Sequence, residues 1–287
     1  MNVKTIMSSL RRGLSKLVMR EVSTIARRDY VAAIDALESR GRPGAAEFLR
    51  KNARSFGEWA VTRGLALHNP LAGLRRPKAS RAERLEVEER GRALSEVEVV
   101  NLWQAAVGTS SAFGGMVRLG LLTAMRRGEL AGLRWSDVRG DRIHLEPRHT
   151  KQGRIHEIPL TPLMGTILGE CQRGTSDLVF PSWKTGKKMS GWNSLVAKLC
   201  EKSGVDFALH DLRSTCRTQM GNLGVPEDIA EIAIGHQRKD LVRRYDFSDV
   251  WGQRIDAFQR VSDTIGALIG KDVHNVVKLR GAKSRGK

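Results

Sequence analysis

Apolar residues recur at helical spacing along most of the chain. From Met7 to Ile25 they fall at Met7, Leu10, Leu14, Leu17, Val18, Val22 and Ile25, and the stripe runs on through Tyr30, Val31, Ile34 and Leu37. That spacing predicts helix up to the break at Gly41–Gly44. Arg11, Arg12, Lys16, Arg20, Arg27 and Arg28 lie on its other faces. A second helix is predicted roughly over residues 45–62, with Phe48, Leu49, Phe56, Trp59 and Ala60 inward, and His68–Leu74 closes a small helical module. Residues 77–94 are charged, with little apolar periodicity, and read as a linker. Ser95 followed by Glu98 forms a capping box before Val99, Val100, Leu102 and Trp103, so a helix starts there; another covers about residues 112–122.

The period then changes. Arg142–Glu146 and Ile155–Leu160 alternate around a glycine-containing turn, which predicts a hairpin with Lys151 at its tip. His144 and His156 follow the strand alternation and read as structural. A helix around residues 192–202 comes next, after the short stretch Leu178–Trp183. Ile229, Ile232 and Ile234 then lead to Gly235, a helix-stop signal that holds His236 in the turn beyond. Trp251, Ile255, Phe258, Val261, Ile265 and Leu268 make a last, strongly amphipathic helix. The expected class is mainly α with a small antiparallel β-sheet (α+β). The expected divisions are a helical domain at 1–76, the linker at 77–94, a larger domain at 95–270 and a basic tail at 271–287.

Charge changes this picture. The 287 residues carry a net charge of +18, with 40% hydrophobic residues, enough for a sizeable core. Residues 1–90 hold 19 Lys and Arg against 10 Asp and Glu, and residues 271–287 hold six cations and one acid. Such a surplus favours a polyanionic partner, with counterion release supplying affinity; a well-solvated basic face is the plainer alternative. No apolar run approaches the ~18 residues of a membrane helix. The N-terminus has no apolar leader block, which points to a cytoplasmic protein. Cys171, Cys200 and Cys216 are odd in number and form no Cys-x-x-Cys, so small packing residues are expected rather than disulfides or a zinc site.

The chemistry concentrates in residues 210–245. His210 and Arg213 are three apart and share one helix face; Gly235–His236 follows, and Tyr245 comes nine residues later. Arginine's fork of donors matches phosphate oxygens, histidine donates to an oxyanion or moves a proton, and a phenol is a potential nucleophile. Together they describe attack of a phenol on a phosphodiester. The ordered set His-x-x-Arg, Gly-His and Tyr resembles the C-terminal signature of the tyrosine recombinases, the phage-integrase family. Upstream, Thr123, Met125, Arg126, Glu129 and Leu130 align with that family's T-G-x-R-x-x-E-L, with Ala124 in place of the usual glycine. Trp59–Ala60, Gly64 and Asn69–Pro70 resemble the ending of the family's helical core-binding domain.

The resemblance implies a core-binding domain followed by an integrase-type catalytic domain, and a site-specific DNA recombinase acting through a 3′-phosphotyrosyl intermediate. It makes Tyr245 the nucleophile. Arg126, Arg213 and His236 become ligands of the non-bridging oxygens, Lys151 the general acid and His210 the base. Glu129 becomes a supporting acid, with a charge stabilised by its own helix N-terminus as the rival reading. No cofactor, nucleotide or metal is implied. The implied partners are double-stranded DNA, further copies of the chain in a tetramer, and accessory DNA-bending proteins, at the nucleoid and away from any membrane. A type IB topoisomerase shares the same residues, and a non-catalytic DNA-binding regulator could share the fold. The family's last helix often packs on a neighbouring subunit; here it could equally cap its own domain.

Overall fold

In the computed structural model, the described residues are 3–75, 91–109, 111–236 and 247–270. The chain divides into two compact units, residues 1–84 and 85–287. Most of the expected linker, the tail from 271, and Tyr245 with the residues preceding it lie outside the described residues.

The first unit is helical: α1 (Val3–Gly13), α2 (Arg27–Glu38) and α3 (Pro43–Thr62). Its core holds Leu14, Ile25, Tyr30, Ile34, Ala46, Leu49, Ala53 and Leu71, so the expected inward role of Tyr30 is observed. The long stripe from Met7 to Leu37 is not one helix. It breaks at Gly13, against which the Leu49 side chain packs too closely for any Cβ. A new helix is nucleated at residue 26, where the Asp29 carboxylate accepts the Ala26 N–H (3.0 Å) and pairs with Arg20 (3.1 Å). Leu14, in the turn after α1, and Ile25, extended just after a 3₁₀ helix at Val22–Thr24, are still buried. Met7 and Val18, on the same stripe, are exposed. Periodicity located the apolar face but not the break.

The second unit begins with the segment 91–94, in which Leu94 is buried and its N–H donates to Thr215 Oγ1 (2.9 Å). The capping box forms as expected at α4 (Glu96–Val107): the Ser95 N–H donates to Glu98 (2.9 Å) and the Glu98 N–H to Ser95 Oγ (3.4 Å). Arg92 grips the same carboxyl and holds it well below the usual carboxylate range, at about 2. Helix α5 (Ser111–Thr123) is apolar on nearly every side and forms the centre of the unit. It leads into α6 (Arg127–Gly132). A three-stranded antiparallel sheet follows in the order β1 (Val138–Arg139), β2 (Arg142–Leu145), β3 (His156–Pro159), and the expected hairpin is its β2–β3 pair, with Ile143 opposite Ile158.

Five more helices follow among the described residues: α7 (Pro162–Glu170), α8 (Trp192–Ser203), α9 (Leu209–Asn222), α10 (Glu227–Ala233) and α11 (Phe247–Leu268). Helix α11 buries Ala257, Phe258, Val261 and Ile265 in this unit's own core, and Ser262 hydrogen-bonds Thr161, the N-cap of α7 (2.8 Å). Its apolar face is therefore used in cis. Cys171 and Cys216 are buried, and desolvation raises their thiols to about 11 and about 12, as befits inert packing residues.

Close approach of α4 to α5 depends on Gly114, where an added Cβ would stand 2.0 Å from the Ala106 carbonyl oxygen. Gly165, inside α7, has no neighbour within 4 Å of that position. Gly114→Ala should therefore lose about 1–3 kcal/mol or more. Gly165→Ala should gain about 0.5–1 kcal/mol from helix propensity alone. Urea unfolding followed by far-UV dichroism measures both; equal stability of the two variants would contradict the α4–α5 packing.

Candidate active site

The site is assembled at the ends of elements that the core holds in place. Helix α5 ends at Thr123, and Ala124 follows with φ +52°, the one non-glycine residue at positive φ among the described residues. Its methyl group costs about 1–2 kcal/mol in that conformation, which a glycine would avoid. A backbone conformation that a glycine would adopt freely is thus held by a strained alanine, and the Ala124 carbonyl is turned inward to accept from Arg213 Nη1 at 2.5 Å. Two residues later Arg126 caps α6. Glu129 accepts both the Arg126 backbone N–H (2.9 Å) and its guanidinium (3.0 Å), so one buried carboxylate serves the helix start and the arginine together. The two readings of Glu129 describe the same contact.

Arg213 projects from α9 into the core, 4% exposed. Its Nη2 donates to the Ile234 carbonyl (2.8 Å), just before the turn at Gly235. Burial, followed by the nearby Arg126, lowers its guanidinium pKa to about 10, so it is charged at any working pH. Gly235 adopts φ +73°, the helix stop expected from its sequence, and His236 follows with its backbone N–H on the Glu231 carbonyl (2.8 Å). The His236 ring meets Glu231 through Nδ1 (2.8 Å). Burial works to raise the Glu231 carboxyl, and the hydrogen bonds from Arg217 and His236 outweigh it, leaving its pKa lowered. A carboxylate only accepts, so Nδ1 carries the proton and the exposed ring presents Nε2 outward.

Two members of this cluster were not expected from sequence. Glu231 is one; its signal, an acid one helical turn before the Gly-His turn, is too common to single out. The other is His156. Strand alternation assigned it to structure, and it does face the core side of β3 with Ile143 and Ile158. Yet its ring lies 3.2–3.3 Å from where a Gly235 Cβ would be, so it forms the support of the Gly-His turn. Burial first, then the charges of Arg254, Arg213 and Arg126, push its pKa down to about 3. It is a neutral imidazole among three arginines.

The structure therefore brings together Arg126, Glu129, Arg213 and His236, with His156 beneath them. His210 stands in the first turn of α9, exposed, beside Gly91 and one turn from Arg213, with no described contact to the cluster. Lys151 is exposed in the turn between β2 and β3, likewise with no described contact to the cluster. Tyr245 lies outside the described residues. Among the described residues, no three His, Cys, Asp or Glu are grouped as metal ligands.

A family model described as "Phage integrase family" matches residues 92–250. The chain is 22% identical over 254 residues to the integrase of Escherichia phage HK022, a match spanning 83% of this chain and 68% of that one. It is 29% identical over 219 residues to the shufflon-specific DNA recombinase of Escherichia coli, spanning 73% of this chain and about half (52%) of that one. Among solved structures, a lambda integrase (75–356) dimer bound to a COC′ core site has the same fold. It has a TM-score of 0.65 and 20% identity, and the match covers 86% of this chain and 92% of the other.

A histidine whose pKa falls on folding binds protons better when unfolded, so stability is lost as pH drops from ~6.5 toward the folded value, by at most about 1.4 kcal/mol per unit. Between pH 6.5 and 4 the wild-type protein should lose stability more steeply than His156→Gln, which keeps a neutral polar side chain. Urea titrations at several pH values test this. Parallel slopes would show that the ring is not held neutral.

Proposed function

Since the chain belongs to the phage integrase family, we propose that it is a site-specific DNA recombinase that cleaves and rejoins DNA through Tyr245. The observation that carries this reading is the buried Arg213, which joins the backbone leading to Arg126 with the turn bearing His236. The Tyr245 hydroxyl attacks a DNA phosphorus while His210 accepts its proton. The Tyr–O–P bond forms, and the bond from phosphorus to the 5′-oxygen breaks as Lys151 protonates the departing 5′-oxygen, releasing a 5′-hydroxyl. Arg126, Arg213 and His236, the last as an imidazolium that keeps its Nδ1–H on Glu231 and donates from Nε2–H, hold the non-bridging oxygens, each donor contributing about 2.7–4 kcal/mol in the transition state. His156 supports the turn without adding a fourth cation beside the arginines. The ester bond is conserved in the phosphotyrosyl link, so rejoining by another strand's 5′-hydroxyl reverses the same steps without nucleotide hydrolysis.

The relatives favour recombination over topoisomerase-like relaxation, since both curated matches above carry integrase or recombinase activity in their names. Lambda integrase is found as a dimer on a core site and as a tetramer on a Holliday junction. We assign this chain the same kind of partner: duplex DNA, with four copies at the crossover and DNA-bending proteins as accessories. Among the described residues no helix is long and apolar enough to cross a membrane, and action at the nucleoid, in the cytoplasm, follows from the substrate.

The general acid is the most discriminating part of this scheme. An alkoxide leaving group needs a proton, whereas a thiol of pKa about 8.5 departs without one. Lys151→Ala should form covalent adduct very slowly on normal DNA and recover when the bridging 5′-oxygen is sulfur. Arg126→Ala should recover on neither, and Tyr245→Phe should bind DNA yet form no adduct. Equal defects of Lys151→Ala on both substrates would remove the lysine from the acid's position.

A further inference from the structure

Beside α6, the chain forms a short loop that the reaction scheme leaves unused. The loop is rigid. The Ser182 N–H donates to the Lys187 carbonyl (2.8 Å), and the N–H groups of Thr185 and Gly186 both donate to the Ser182 carbonyl (3.2 and 2.8 Å). Pro181 and Lys188 pair across its neck. Both ends are fastened near the active-site helix: Val179 N–H donates to Leu133 O (2.9 Å), and Lys188 Nζ donates to Gly128 O (2.8 Å), two residues after Arg126. Met189 and Phe180 bury the base.

What the loop presents to solvent is unusual for a structural turn. Trp183 is 80% exposed, although a tryptophan is among the largest apolar surfaces available for burial. The Lys184 ammonium lies 5.2 Å from its ring centroid, and Lys187 is exposed close by. Residues 178–200 contain four lysines and no acid. A lone exposed apolar residue needs no explanation. A tryptophan held on a hydrogen-bonded loop, flanked by cations and fixed to the helix that Arg126 caps, fits a nucleic-acid surface: lysines meet phosphates, and an aromatic face meets a sugar or base. A partner protein surface would have to be acidic and would have to reach beside Arg126, where the substrate phosphate binds.

We propose that the loop Ser182–Lys187 is a DNA-contacting finger, in which Trp183 lies against the sugar–base surface next to the scissile phosphate and Lys184 and Lys187 engage the flanking phosphates. This rests on the recombinase reading above. The loop's anchorage sets its register with the catalytic phosphate, so the finger aligns the strand as well as binding it.

The test uses the full chain and a random-sequence duplex of about 20 base pairs, short enough to hold one copy, with binding followed by anisotropy at several salt concentrations. Trp183→Ala should weaken binding about 5- to 10-fold with the salt slope unchanged, and Trp183→Phe should stay within about 2-fold of wild type. The double variant Lys184→Ala/Lys187→Ala should reduce the slope of log K against log salt by about 1.8, two phosphates at ~0.9 each. Unchanged affinity and slope would overturn the proposal. So would a defect seen only on longer DNA holding two copies, since that would mark a contact between subunits. SDS-resistant adduct formation by the wild-type protein on nicked duplexes is scored in parallel. Failure there strikes the recombinase reading, whereas normal adducts with unaltered binding of the variants strike the finger alone.

Discussion

The catalytic unit depends on one buried charge. Arg213 enters the core from α9 and has to be satisfied there, because an unpaired guanidinium in that position would cost several kcal/mol. It is satisfied by two backbone carbonyls, those of Ala124 and Ile234, which lie 110 residues apart in sequence. Each carbonyl immediately precedes a functional turn: Ala124 leads to Arg126, and Ile234 leads to Gly235 and His236. One side chain thus ties together the two turns that carry Arg126 and His236, and only two of its five N–H donors are used in doing so. The positive φ of Ala124 follows from this constraint, since the strained backbone points its carbonyl at the guanidinium.

Around this anchor, each charge is placed so that it does not cancel the site. Glu129 and Glu231 are spent on orienting Arg126 and His236. Both charges also favour the guanidinium form of Arg213, while burial and Arg126 work against it. His156, packed beneath Gly235, is kept uncharged by burial and by the arginines beside it, so the pocket gains a polar support without further repulsion. A docked phosphodiester would supply the anion this cluster lacks. The electrostatic work is done on folding, not during the reaction.

Much of this was legible from sequence where the signal is local. The Ser95–Glu98 capping box, the stop at Gly235, the β2–β3 hairpin and the stripe of α11 each depend on contacts within a few residues, and each formed as expected. What sequence did not show depends on distant partners. The need for a glycine at residue 13 is visible only from Leu49 packed against it, and the role of His156 only from Gly235, 79 residues away in the chain. Helix α11 could have faced either its own core or a neighbour, and only the contact of Ser262 with Thr161 and the burial around Phe258 decide it. Alternation assigned His156 to the correct face of the strand but said nothing about what that face touches.

In the reaction proposed above, a phosphate held by the Arg213-centred cluster is attacked by Tyr245, one of only two tyrosines in the chain. Adducts trapped on nicked DNA, digested with nuclease and then trypsin, locate the attacking atom directly. Cleavage after Arg244 and Arg254 releases the peptide Tyr245–Arg254. The expected result is a 3′-phosphonucleotide mass on that peptide, with fragment ions placing it on the tyrosine. The same mass on the peptide containing Tyr30, or on a serine, would contradict it.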